Sequence, residues 1–352
     1  MKIIFKGNVF NPTGISTANR EMVKALIKLG AQVQCTDVWH SFYDFNKGLE
    51  KLNSAIDAKD CITIFADYPQ FWRDGYGRII GYFLHEGTKL HEGWAEVMNT
   101  AEKVLVPSKA TKNLFKSNGI QNVEVVPYGT NPEIYKPKKA DRDENYLFLS
   151  VNSWTGKADD RKGTDILIKA FDEEFRPDEK VKLILKIGTF WQQTSMEMYA
   201  KSIYDLLGHS NANIIFNNSY VPEEELASYY QQADCFCDPT RGESFGLTAI
   251  NAMACGIPII ITKDNNSGHM DFCRGKDSVL WIEANKMEQA DRRFFAEGNM
   301  QPVPDKESLK KQMRYAFEHR QELLDKALIN SEDIRTNWTW GKSAEKLLEA
   351  IK

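Results

Sequence analysis

Apolar positions along the chain fall into short runs separated by longer amphipathic stretches, the alternation that builds parallel α/β sheets. Residues 3–5, 32–38, 61–66, 78–84, 103–107 and 123–127 are compact runs suited to buried strands. Between the first two, Met22, Val23, Leu26 and Leu29 share one helical face, with Ser16 or Thr17 as the cap and Gly30 as the stop. Past residue 145 the alternation resumes, with strand runs at 146–151, 181–187, 213–216, 233–238 and 257–262. Helical stretches follow at 223–232, 248–255 and 308–328, and a last one carries Trp338 and Trp340 at its start. Residues 136–145 are rich in Pro, Lys and Asp, have no apolar period, and separate the two series. Two α/β domains are therefore predicted, spanning 1–137 and 138–334.

Composition narrows this picture. A chain of 352 residues holds two α/β domains of ordinary size. No apolar run reaches the ~18 residues a membrane span needs. Residues 1–6 are too short for a signal-peptide core and read as a first strand. The six Cys lack zinc-site spacing, and Cys235 and Cys237 flank Phe236 so that both point one way, as small apolar packing residues. This usage suits a reducing cytoplasm. The net charge of −4 is spread unevenly, mildly positive over 1–138 and acidic beyond, which argues against a nucleic-acid binder.

Candidate chemistry concentrates at residues 238–261. An apolar run ends in Asp238, a loop with Pro239, Gly242 and Gly246 follows, then a small-residue helix stopped by Gly256 and Pro258. Glu243 is thereby placed at the carboxyl edge of a parallel sheet, just ahead of a helix N-terminus, where open α/β sheets bind ligands. Glu243, Phe245, Gly246, Leu247, Ala252, Met253, Ala254, Gly256 and Pro258 resemble the signature of retaining glycosyltransferases of family 4, also called group 1. That family carries a second acid eight positions after the first; this chain has Asn251 there.

The resemblance implies the α/β GT-B fold, two doubly wound Rossmann-like domains facing a central cleft, with a terminal helix over about 335–352 packing back on the first domain. It implies transfer of a hexose from a UDP- or GDP-linked donor to a glycan or lipid-linked acceptor, with no metal and no other cofactor. Glu243 and His85 become the expected catalytic residues. Gly14, Arg161, Lys162, Ser244, Phe245, Gly246, Leu247 and Asn251 become the expected donor-binding residues. Lys162 matches the family lysine that neutralises the donor diphosphate. The family arginine appears here as Ser153, so one cation is missing or is supplied by Arg161 or Lys186. Asn251 is expected to serve as a working ribose ligand, its lost charge offsetting the missing arginine.

Other features read as ordinary surface or packing. His91 is expected on a helix with Trp94 and Val97, and Gly14 suits either a turn or a close ligand approach. Lys109, Lys112 and Lys116 fit a solvated helix face, with peripheral contact to the inner face of a membrane left open. Asp141 and Asp143 form a formal Asp-x-Asp in the charged linker and read as solvated charges, not metal ligands. Two alternatives stay open: a degenerate GT-B binding subunit, favoured by Ser153 and Asn251, and a nucleotide-sugar epimerase. The oligomeric state is left open.

Overall fold

Two series of alternating strands and helices close into two parallel sheets in a computed structural model that describes residues 1–11, 13–36, 56, 60–138, 144–154, 160–188 and 195–352. The first series is β1 (Lys2–Gly7), α1 (Gly14–Lys28), β2 (Gln32–Thr36), β3 (Ile62–Ala66), β4 (Arg78–Tyr82), α2 (Trp94–Met98), β5 (Lys103–Val106), α3 (Lys109–Ser117) and β6 (Val123–Val125). Its strands lie in the order β2-β1-β3-β4-β5-β6, all parallel.

The second series is β7 (Tyr146–Asn152), α4 (Thr164–Glu174), β8 (Val181–Ile187), α5 (Met196–Leu207), β9 (Ile214–Asn217), α6 (Glu223–Gln232), β10 (Cys235–Asp238), α7 (Leu247–Ala254), β11 (Ile259–Thr262), α8 (Met270–Cys273) and β12 (Val279–Ile282). Its order is β12-β11-β10-β7-β8-β9, again parallel. An antiparallel hairpin of β13 (Lys286–Gln289) and β14 (Met300–Val303) follows. Helices α9 (Lys306–Glu318), α10 (Arg320–Asn337) and α11 (Trp340–Ala350) end the chain. Strands buried on both faces need apolar side chains throughout, which is why β10 and β11 are fully buried along their lengths.

In each sheet the chain reverses its direction of growth once. In the second sheet β7 lies between β8 and β10, so the loops after β7 and β10 open a crevice at the carboxyl edge. The loops after β1 and β3 do the same in the first sheet. The two domains share one apolar core that runs from Ile3, Leu26 and Tyr128 through Trp340 and Leu347 to Phe245 and Met253. The return helix α11 is fastened to the first domain by its last carbonyls: Arg78 Nη1 donates to Ile351 O at 2.8 Å and Lys103 Nζ to Ala350 O at 2.5 Å. Gly129 allows the chain to pass there, since a Cβ would lie 2.4 Å from the Thr339 carbonyl carbon.

Several sequence expectations are corrected. Thr13, not Ser16 or Thr17, caps α1, its hydroxyl accepting from Ser16 N at 3.3 Å. The stretch 308–328 is not one helix: α9 ends before His319 and α10 begins after it. The helix that crosses back starts at Trp340, later than about 335. His91 lies ahead of α2 instead of on it. The hairpin and α8 were not anticipated. Residues 37–38 of the second strand run, and Asp141 and Asp143, lie outside the described residues. No helix among the described residues is long and apolar enough to cross a membrane.

Candidate active site

The loops after β7 and β10 are joined through the Arg161 carbonyl. Arg241 N donates to Arg161 O at 2.7 Å, and Thr240 Oγ1 donates to the same carbonyl at 3.3 Å. Gly163, at φ +64°, permits this contact, because a Cβ there would lie 2.0 Å from Pro239 O. Arg161 and Lys162 are thereby fixed beside Glu243. Arg161 Nη1 donates to Gly242 O at 2.6 Å and to Glu243 Oε1 at 3.0 Å. Lys162 Nζ donates to the same carboxylate oxygen. Burial alone would raise the Glu243 carboxyl, but the Lys162 ammonium and the Arg161 guanidinium outweigh it and hold the carboxyl down at about 2.

More acids stand behind this pair. Asp238 ends β10 fully inside the protein, and burial pushes its carboxyl up to about 7 despite Lys162. Burial likewise lifts Asp160 to about 6, while Asp160 Oδ1 accepts from Lys162 N at 2.5 Å. Arg241 is buried and forks onto Asp165 at 3.2 and 3.4 Å, with Glu288 of the hairpin 2.9 Å from its Nε. Three cations and several acids thus interlock around one loop. Low surrounding dielectric makes each pairing matter.

Gly246 begins α7 at φ +100°, where a Cβ would come 3.2 Å from His269 Cβ. Phe245 is a packing residue in its side chain, 5.5 Å ring to ring from Tyr128 and 5.3 Å from Phe272. Ser244 is buried with its hydroxyl unpartnered among the described residues, and its carbonyl accepts from Thr111 Oγ1 at 3.3 Å across the cleft. Leu247 is half-buried at the helix start. Asn251 stands one turn further on, and its Oδ1 accepts from Thr130 Oγ1 at 2.7 Å. The carbonyl expected to meet ribose therefore already has a protein partner. Ser153 is exposed, and Lys186 is buried with Nζ on Ser219 O, away from Glu243. Arg161, not Lys186, supplies the second cation at the acid.

From the first domain, Gly14 opens α1 with nothing within 4 Å of where its Cβ would be, so no protein neighbour demands glycine there. His85 lies beyond β4, buried, with Nε2 unpartnered among the described residues. Its ring is 5.3 Å from Trp94, 5.5 Å from Phe295 and 5.8 Å from His91, and burial lowers its pKa to about 4. Glu86, next in sequence, reaches across to Arg161 at 3.6 Å.

One site residue was missed. His269 is fully buried, its Nε2 2.8 Å from Thr262 O, a carbonyl that can only accept, so Nε2 carries the proton and Nδ1 keeps its lone pair. Gly268 N donates to Glu243 O at 2.6 Å, and a Cβ on Gly268 would lie 2.0 Å from Ser244 O. A Ser-Gly-His turn at the carboxyl edge of β11 was the signal available in the sequence.

Two doubly wound sheets with loops meeting across a carboxyl-edge cleft define the GT-B fold. HepE from Anabaena, solved in complex with UDP and glucose, matches with a TM-score of 0.75 over 100% of this chain and 99% of that one, at 14% identity. Sucrose-phosphate synthase from Thermosynechococcus elongatus gives 0.67 over 99% and 98%, at 16% identity. The family model for glycosyl transferases group 1 matches residues 132–296. D-inositol 3-phosphate glycosyltransferase of Corynebacterium diphtheriae is 26% identical over 246 residues, covering 64% of this chain and 49% of that protein. The chain spans about half the length of the curated relatives it matches.

Proposed function

We propose that this protein is a retaining glycosyltransferase that moves a hexose from a UDP- or GDP-linked donor to a glycan or lipid-linked acceptor, without a metal ion. The observation that carries the reading is the convergence of Lys162 and Arg161 on Glu243 at the switch point of the second sheet. A departing nucleoside diphosphate gathers negative charge, and fixed cations beside a helix N-terminus are what stabilises it. In this reading the two cations exchange Glu243 for the diphosphate. Glu243 then holds the donor sugar hydroxyls and the positive charge developing at the anomeric carbon.

Ser244 and the amides of Phe245, Gly246 and Leu247 hold phosphate at the start of α7, and Asn251 holds ribose. Gly14 lets the first domain approach. His85, uncharged at neutral pH because burial lowers its pKa, bonds a sugar hydroxyl as a neutral imidazole. The resemblance to family 4 implies front-face displacement. The bond from anomeric carbon to phosphate oxygen breaks, the acceptor hydroxyl attacks from the same face, and the departing phosphate takes its proton. The HepE complex with UDP and glucose, and relatives named as glycosyltransferases, support the reading.

A thermal-shift panel of UDP, GDP, ADP and dTDP sugars tests it, since a ligand at 100-fold its Kd stabilises by about 2.7 kcal/mol. The selected donor is then incubated with candidate acceptors in chelator, and the product anomer is read by NMR. Retained configuration in chelator is expected. An inverted product, or transfer that needs added Mn²⁺, overturns the corresponding part. A changed sugar still attached to nucleotide would indicate an epimerase. Donor binding with no turnover would favour a binding subunit, the reading that the Thr130–Asn251 bond and the exposed Ser153 support.

A further inference from the structure

The β13–β14 hairpin lies outside both sheets yet joins the two walls of the site. On its strand β13, Glu288 is ion-paired to Arg241, two residues from Glu243. At its far end, the fully buried Asn299 reaches the loop that carries His85 and Glu86. Asn299 Oδ1 accepts from Thr88 N at 2.5 Å and Lys89 N at 3.2 Å, and its Nδ2 donates to Glu86 O at 3.0 Å. Met300 N donates to Thr88 Oγ1 at 2.9 Å, and His91 Nε2 lies 3.1 Å from Phe294 O.

The fit is close. Gly87, at φ +90°, faces Asn299 so tightly that a Cβ would lie 2.0 Å from Oδ1. The hairpin end is itself held in shape by Gln289, whose Oε1 accepts from Gly298 N at 2.8 Å and whose Nε2 donates to Ala296 O and Asn299 O at 3.3 and 3.1 Å. Phe295 of the same segment covers the His85 ring. A primary amide can accept two N–H bonds at its oxygen while its nitrogen, on the other branch, donates to a carbonyl.

We infer that Asn299 is a positioning residue: through its amide the hairpin fixes the His85–Glu86 loop of the first domain relative to Glu243 and Arg161 of the second. The kinetic consequence rests on the transferase reading; the structural consequence does not. Donor is held by the second domain, so releasing the loop leaves donor affinity in place and displaces His85. The loss has as its ceiling the one hydrogen bond His85 makes to the sugar, roughly tenfold in rate.

Asn299→Ala in the full chain is the test. Amide hydrogen exchange at Thr88 and Lys89 is expected to accelerate at least about tenfold. The His85 titration followed by NMR, with Glu86, His91 and Arg161 as its charged or titratable surroundings, is expected to move from about 4 toward the ordinary 6.5. Donor Kd is expected to stay within about twofold while kcat falls by up to about tenfold, the loss expected from removing the His85 hydrogen bond itself. Asn299→Asp keeps both acceptor bonds and loses the bond to Glu86 O, so Thr88 and Lys89 stay protected while kcat still falls. Unchanged exchange in Asn299→Ala overturns the latch. Faster exchange with unchanged kcat overturns the positioning role. If the wild-type chain transfers no sugar, the transferase reading fails alone, and exchange and titration still decide whether Asn299 sets the surroundings of His85.

Discussion

The two walls of the cleft are built from different physics. The wall from the second domain is ionic: Lys162 and Arg161 meet on Glu243, with Asp160, Asp165, Asp238 and Arg241 behind them. The wall from the first domain is nearly neutral, an imidazole among Trp94, Phe295 and His91 with a glycine-started helix beside it. Charge that must be stabilised in a low dielectric needs fixed partners on rigid elements, and β7, β10, α4 and α7 provide them. A neutral wall needs only shape and hydrogen-bond direction. It can therefore be held by contacts borrowed from the opposite domain.

The largest expected effect tests the ionic wall. Lys162→Ala removes a mostly buried cation that faces the diphosphate in the proposed reaction. About 2–4 kcal/mol of transition-state binding should go, a loss of roughly 30- to 1,000-fold in kcat/KM, with donor Kd weakened as well. A variant within threefold of wild type would remove Lys162 from the site. His85→Ala is the matching cut in the neutral wall. One hydrogen bond of about 1.5 kcal/mol predicts a loss of roughly tenfold, seen in kcat with donor Kd unchanged. A His85 effect that appears mainly as weaker donor binding would erase the distinction between the walls.

The ionic wall was legible in the sequence because its parts are contiguous. Arg161, Lys162 and Gly163 form one short segment, and Glu243 through Gly246 form another, each at a strand end followed by a helix. Placing two such loops at one switch point follows from parallel topology alone. The neutral wall was only half legible. Asn299 is 211 positions from Thr88, no periodicity connects them, and the four-residue strands of the hairpin lie in polar sequence. His269 escaped for a different reason: its Ser-Gly-His turn marks a strand end, and only the fold brings the ring to Gly246. The break at His319 was hidden because apolar spacing continues from α9 into α10.

A smaller effect separates stability from chemistry within the ionic wall. The Asp238 carboxyl is raised by burial to about 7, above its value in the unfolded chain. Between about pH 4 and 7 the folded state therefore holds a proton that the unfolded state has lost. Stability contributed at this position accordingly falls as pH rises through that window. Asp238→Asn keeps the shape and removes the titration. Its Tm relative to wild type should rise by a few °C from pH 5 to pH 8. Glu243, held down at about 2, runs the other way: its pairing is fully present above the unfolded value and is lost only as pH falls toward 2. A Tm difference for Asp238→Asn that is flat between pH 5 and pH 8 would mean Asp238 is already ionised beside Lys162.

The smallest predicted effect lies where the two walls meet. Asn251 Oδ1 accepts from Thr130 Oγ1, a residue bridged to Thr339 at the crossing into α11. The resembled family carries an acid at this position together with an arginine where this chain has Ser153. Both charges are absent here, so the local balance is kept while each single charge is gone. A glutamate at 251 would still accept the Thr130 hydroxyl, so the contact to the first domain survives the change. What the substitution adds is one negative charge near the proposed diphosphate, without the cation that would offset it. At this half-buried, solvent-screened position one added charge acts with about 1 kcal/mol. Asn251→Glu should therefore weaken donor binding about three- to tenfold by calorimetry, and adding Ser153→Arg should bring the Kd back toward wild type. A tighter Kd in Asn251→Glu alone would show that the second hydrogen bond to ribose outweighs the charge, and that the two substitutions in this chain are independent losses.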